Sequence, residues 1–163
     1  MTVNLQEAIK SSLYTEKSAM DFYRMGAQHL KNPEAKRIFE LLAREEIGHA
    51  AHFFKIYRGG DIPDFEAFIN DSAASDAGWS AALKTLIDDS FTEKRALELA
   101  MEKEQQLEEV LREIANTVQD PEARAVFEQN ADETRNHYLM IEAEYARVMK
   151  MVHESEMNTF VRE

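Results

Sequence analysis

Apolar residues return along most of this chain at the spacing of one helix face, and short polar punctuation cuts that pattern into segments. Leu5, Ile9, Leu13, Met20 and Phe22 recur at roughly helical intervals, and the pattern continues to about Leu30. Asn4 stands before them with Glu7 three residues on, the arrangement of a capping box, so a first helix is predicted to begin there. Asn32-Pro33-Glu34 is a second start signal. It offers an Asn cap, a proline where the first turn needs no N–H, and an acid at the positive end of the helix dipole. The helix it opens runs to about Tyr57, where Gly59-Gly60 stops it. Residues 4–57 are thus predicted to form a helical hairpin.

Residues 58–91 hold both of those glycines, Pro63 and only short apolar clusters. Long bare connections are uncommon inside compact domains, so this stretch is predicted to be a crossover with one or two short helices of its own. A third long helix is predicted over Thr92 to Val118, and Asp120-Pro121-Glu122 then repeats the earlier start signal. The fourth runs on to about Lys150, which makes 92–150 a second hairpin. The tail, 151–163, is either an extension of that helix or a separate one.

The second hairpin repeats the first. Asn32-Pro33-Glu34-Ala35 matches Asp120-Pro121-Glu122-Ala123, Phe39-Glu40 matches Phe127-Glu128, and His49 matches His137, all at a shift of 88 positions. The same shift carries Ala8 to Ala96, Glu16 to Glu104 and Ala27 to Ala115. The blocks AREEIGH (43–49) and ADETRNH (131–137) are therefore equivalent parts of two halves. The expected fold is all-α: one domain over 1–163, a four-helix bundle of two duplicated hairpins joined by a long crossover, with a C-terminal helical extension.

Composition narrows the chemistry. Five glycines and three prolines in 163 residues agree with long helices. The chain has no cysteine, which excludes disulfides, thiolate zinc sites, cysteine-ligated iron–sulfur clusters and thiol nucleophiles. A net charge of -12 argues against a nucleic-acid partner and leaves cations or basic partners. No apolar run approaches a membrane span, and MTVNLQEAIK lacks the regions of a signal peptide, so a soluble cytoplasmic protein without a membrane partner is expected.

Within an antiparallel pair, residues equally far from the turn lie at one height. Glu16 and Glu46 are equidistant from the turn at Lys31-Asn32, and Glu104 and position 134 are equidistant from position 119. Packed face to face, the hairpins bring all four positions into one layer. Glu46 and His49, three residues apart, share a helix face, as do position 134 and His137. Buried carboxylates without partners are costly, and bound cations remove the cost. Carboxylate with imidazole suits iron, manganese or zinc.

This arrangement resembles the ferritin-like di-iron carboxylate proteins and, within them, the rubrerythrin family. In such bundles two helices give one Glu each and two give a Glu-x-x-His each. Here the single acids are Glu16 and Glu104, and Glu46-Ile47-Gly48-His49 is the first Glu-x-x-His. Tyr23, seven residues after Glu16, matches the rubrerythrin Glu-x6-Tyr pattern. The resemblance covers about residues 4–145 and implies Glu16, Glu46, His49, Glu104 and His137 as ligands of two irons, or of one, or of manganese or zinc. It implies the Tyr23 phenol as a hydrogen-bond partner of the site.

Three departures accompany it. Thr134 stands where the second Glu-x-x-His has its glutamate, and Glu133, four residues before His137, is the candidate to replace it. Leu111 stands where the second tyrosine would be. The cysteine-ligated rubredoxin module is absent from a chain without cysteine, so electrons would come from a separate donor. The resemblance implies a di-iron oxidoreductase of oxidative stress that reduces peroxide or oxidises ferrous iron with oxygen or peroxide. The alternatives are an iron-binding or sequestering protein without turnover and a structural bundle with a relic site. A homodimer is expected, and the long crossover permits the hairpins to pair within one chain or to exchange between two.

Other conspicuous residues take plainer readings. His29, His52 and His153 are expected at the surface or an interface, and Met20, Met101 and Met140 in the core. Glu108 and Glu109 are expected on a solvated face, with Glu108 one turn from Glu104. Trp79 and Phe65 are expected to cover the bundle or to dock on a second subunit.

Overall fold

A computed structural model describes residues 4–71 and 77–161. Six helices follow in order: α1 (Leu5–His29), α2 (Pro33–Ile56), α3 (Phe65–Asn70), α4 (Ala77–Ser90), α5 (Glu93–Thr117) and α6 (Pro121–Val161). Among the described residues no helix is long and apolar enough to cross a membrane.

The four long helices begin where their caps satisfy otherwise unpaired backbone N–H groups. The Asn4 side chain accepts from the Glu7 N–H, and that of Asn32 from Glu34 and Ala35. Thr92 accepts from Arg95, and Asp120 from Ala123. After α2 the chain turns through Gly60, whose φ of +79° lies in the left-handed region open to glycine. The tail carries no break: α6 continues past Lys150 to Val161, so of the two expected tails the extension is the one formed.

α1 packs along α2, and α5 along α6. The two hairpins face each other with reversed direction. Glu93, at the start of α5, accepts from the backbone N–H groups of Lys31 and Asn32 at the α1–α2 turn, at 2.7 and 3.2 Å. Arg147, late in α6, donates to the Asn32 side chain at 2.9 Å. Phe53 and Phe127 meet across α2 and α6, with ring centroids 4.9 Å apart. α1 therefore runs against α5 and α2 against α6, which relates the duplicated halves by a pseudo-twofold axis across the bundle.

The crossover contributes two short helices. α4 lies on α1, while at the α1–α2 contact Gly26 leaves room for Phe39, whose ring atoms would stand 2.7 Å from a Cβ at that position. Trp79 of α4 is buried edge-on against Phe22 and Tyr23, centroids at 5.3 and 5.9 Å. Of the two expected roles for Trp79, covering the bundle is the one seen. Phe65 of α3, only half-buried, packs on Phe54.

Candidate metal centre

The apolar core is interrupted near its middle by a layer of ionisable side chains. Glu16, Glu46, Glu104 and Thr134 are fully buried there, and His49 and His137 are 3 % exposed. Each of the four long helices delivers its part from mid-length, so the layer sits at the centre of the bundle.

Glu46 stands between the two histidines. Its Oε2 lies 3.3 Å from His49 Nδ1 and its Oε1 lies 3.0 Å from His137 Nδ1. Each Nδ1 has a second carboxylate at 3.6 Å, Glu16 for His49 and Glu104 for His137. The result is two matching half-sites, Glu16 with His49 and Glu104 with His137, that share Glu46. Donor atoms of Glu46, His49 and His137 all lie within 4.8 Å of one another, the spread of a metal-binding group. Both Glu16 carboxylate oxygens, one oxygen each of Glu46 and Glu104, and His49 Nδ1 have no hydrogen-bond partner. The buried cation of α1, Lys17, is held by Asp21 at 2.9 Å and does not serve them. Three crowded acids with orphaned oxygens fit a cation-binding cradle.

The outer nitrogens of the same rings are also engaged. His49 Nε2 meets Glu133 and His137 Nε2 meets Glu45, both at 2.9 Å. Glu45 and Glu133 are equivalents under the shift of 88, so each half supplies a carboxylate to the other half's histidine. Glu133 thus stands on the far side of the His49 ring from the inner carboxylates, not among them. Glu45 was missed in the sequence reading, although the duplication pairs it with Glu133. A carboxylate on Nε2 holds the ring in place and leaves Nδ1 facing inward. The two rings stack with centroids 4.9 Å apart and planes at 10°. They floor a cleft of about 400 Å³ between α2 and α6, also lined by His52, Asn136 and Met140.

Electrostatics follow from burial and crowding. Burial, and next the charge of Glu46, pushes the Glu16 carboxyl well above the usual carboxylate range. Burial also raises Glu104, with Glu46 adding to it against the pull of His137. Glu46 goes the other way: burial opposes its charge, but the charge of His49, the neighbouring Glu16 carboxyl and the His137 hydrogen bond hold it well below the ordinary value. Burial works against protonated imidazole too, yet the carboxylates win and carry His49 to about 12 and His137 to about 10. Without metal, the histidines serve as the counter-ions.

Around this layer the halves differ. The Tyr23 hydroxyl donates to Glu104 Oε1 at 2.5 Å, and burial followed by the Glu104 charge pushes the phenol well up, so it keeps its proton. Phe22, Phe39 and Trp79 enclose its ring. Leu111, the equivalent position, is a buried apolar residue. Thr134 turns its hydroxyl back along α6 and donates to the Asn130 carbonyl at 2.7 Å.

The remaining candidates lie elsewhere. Glu108, expected on a solvated face, is half-buried toward α6, where it pairs with Arg112 at 2.8 Å and lies 3.9 Å from Arg135. His29 is exposed on α1. His52 departs from the expected surface position: it is half-buried in the cleft, with its Nδ1 3.4 Å from Asn130 Oδ1, because α6 covers that face of α2. Met20 is fully buried, and Met101 and Met140 pack partly buried on the core. The side chain of His153 lies outside the described residues.

Four long helices, three bearing an inward-facing carboxylate and two bearing a buried histidine, define a ferritin-like bundle with a group of side chains that could hold a metal. The model of the rubrerythrin family, a ferritin-like di-iron domain, matches residues 4–145, and the chain belongs to that family. Searches among curated proteins and among solved structures gave no match.

Proposed function

We propose that the cradle holds two irons, one at Glu16 and His49 and one at Glu104 and His137 with Glu46 shared, and that the protein reduces peroxide there. The observation that carries this reading is the matched pair of half-sites around Glu46. Two ferrous ions held there would supply the two electrons that turn peroxide and two protons into two waters. When the ferrous ions are themselves the substrate, the same reaction is ferroxidation.

The chain's own residues set the conditions. Glu45 and Glu133 hold the Nε2 protons, so that His49 and His137 present Nδ1 inward. Tyr23 keeps a proton at Glu104 Oε1. Phe22, Phe39 and Trp79 keep water from that side, while the cleft over the histidines admits a small oxidant. Electrons for repeated turnover come from a separate donor, because no cysteine is present to hold a second redox centre of the rubredoxin kind. A cytoplasmic homodimer belongs to the same proposal.

The expected result is about two irons per chain after anaerobic loading, and an absorbance change when peroxide is added. Metal-free protein whose melting temperature is unmoved by iron would sink the proposal. A second reading, iron binding without turnover, is favoured by Thr134, which leaves the cradle one carboxylate short. It predicts iron uptake with no spectral response to peroxide.

A further inference from the structure

The outer faces of the two hairpins are equivalent in sequence and differ in charge balance. On α5–α6 the cations are answered: Arg112 meets Glu108 at 2.8 Å and crosses to Asp132 of α6 at 3.1 Å. Arg135 lies 3.9 Å from Glu108, and Arg124 meets Glu128 at 3.0 Å. The shift of 88 carries Arg24 to Arg112, Lys36 to Arg124 and Arg44 to Asp132. On α1–α2 these three cations line one open groove of about 460 Å³, with Glu40 as its single acid and Ala43 and Ile47 along its floor. The exposed Arg24, Lys36 and Arg44 side chains make no ion pair with any described residue.

Register sharpens the contrast. Where Arg112 reaches across to Asp132, the same positions of the first hairpin set Arg24 against Arg44. Two guanidinium groups across one groove repel each other, and an anion between them offsets the repulsion. In a chain of net charge -12, three uncommitted cations around an apolar floor form a surface complementary to a partner's carboxylates. Arginine forks match carboxylates in two parallel hydrogen bonds.

The groove also lies where electrons are needed. Glu46 falls between Ala43 and Ile47 on α2, and Tyr23 precedes Arg24 on α1. Groove and cradle therefore occupy opposite sides of the same two helices, separated by about one helix diameter, 10–12 Å. The cleft over the histidines opens elsewhere, between α2 and α6, and the acids Glu45 and Glu133 on its walls repel an acidic partner. Oxidant and reductant thus have separate approaches.

We propose that the α1–α2 groove is the docking surface of the separate electron donor, a small electron-transfer protein with an acidic face. This inference rests on the peroxide-reducing reading above. Two reduced donors each give up one electron there, and the two irons oxidised by one peroxide regain them; no atom or proton crosses the groove. The α5–α6 face, its cations already held by Glu108, Glu128 and Asp132, is not a docking surface.

The test mixes the iron-loaded, peroxide-oxidised protein anaerobically with reduced flavodoxin, a small acidic carrier, and separately with dithionite. Rates are taken per bound iron. In the wild type the flavodoxin rate should be highest at low salt and fall about tenfold as the Debye length shrinks from about 30 to about 8 Å. R44D copies the aspartate of the other hairpin and gives Arg24 a partner. It should lower the flavodoxin rate relative to the dithionite rate about tenfold and flatten the salt dependence. R24E should do the same from the other side of the groove. R44Q and R112Q remove the same single charge from the two faces; the first should slow flavodoxin about threefold, and the second should match the wild type.

Three results overturn the docking surface and leave the peroxide-reducing reading in place: equal flavodoxin rates in R44Q and R112Q, a salt-independent rate in the wild type, or no transfer from flavodoxin to protein that dithionite reduces. Iron-loaded protein that peroxide does not oxidise overturns the two together. Should R44D fail to fold, R44Q against R112Q decides the matter alone.

Discussion

The hairpin α1–α2 and the hairpin α5–α6 are one design carried out twice with unequal care for the metal site. α1–α2 retains a complete set: Glu16, Tyr23, Glu46 and His49, with Glu45 facing outward. α5–α6 keeps Glu104, His137 and Glu133 but has Leu111 and Thr134 at the other two positions. Glu16 and Glu104 are matched, as are the outer carboxylates Glu45 and Glu133, whereas Glu46 and Tyr23 have no counterpart in the second hairpin. α4 accentuates the difference by laying Trp79 over Tyr23 on the α1 side. The two halves thus share one frame, but a single carboxylate, Glu46, stands against both histidines.

The largest effect should come from that residue. Glu46→Ala removes the carboxylate common to both half-sites and should abolish binding of both metals, whereas Thr134→Ala, at the equivalent position, should leave metal content unchanged. Elemental analysis after loading and desalting separates the two, and full occupancy in the Glu46 variant would refute the unequal roles.

Next in size are the outer carboxylates, where the hairpins should behave alike. Glu45→Gln and Glu133→Gln should each weaken metal binding by about 10–100-fold, through the histidine of the opposite hairpin. Chelator competition measures this. A loss confined to one of the pair would show that the two outer contacts are not equivalent.

The pH dependence distinguishes the empty cradle from the loaded one. His49 and His137 rise on folding from 6.5 to about 12 and about 10, so their contribution to stability is complete below pH 6.5 and fades as pH climbs toward 10. The metal-free protein should melt at lower temperature at pH 9 than at pH 6.5. Metal must displace those protons, so its affinity should instead increase over the same range. Parallel melting curves with and without metal test the opposition, and two curves of the same slope would contradict it.

Tyr23→Phe should act on the stability of the metal-free fold. It removes a hydrogen bond to a buried carboxylate, worth about 1.5–3 kcal/mol in the metal-free protein, while the ring remains packed among Phe22, Phe39 and Trp79. Denaturant unfolding of the metal-free variant gives the figure, and a change below about 0.5 kcal/mol would mean that the hydroxyl is idle.

Much of the fold could be read along the chain because its determinants are local. Asn4, Asn32, Thr92 and Asp120 cap helices from within the first turn, and the apolar spacing needs no partner to be recognised. Equal arm lengths about each turn set the heights of Glu16, Glu46 and Glu104 before any side chain is placed. Glu133 was harder. Its proximity to His137 along the helix suggested a donor to the same site, yet it faces the histidine of the other hairpin. Spacing along one helix defines a face, and only the neighbouring helix decides what that face meets.

By itself the sequence determined the chief boundaries of the four long helices, the duplication, the common level of the acids and the lack of cysteine chemistry. These follow from periodicity, capping and composition, which act over a few residues or over none. Tertiary structure alone decided that Glu46 stands between two histidines, that Glu45 and Glu133 cross over to the opposite rings, that Trp79 seals Tyr23, and that Thr134 turns its hydroxyl away. Each depends on contacts between helices far apart in the chain, where a rotation of one residue, about 100° on an α-helix, replaces one neighbour with another.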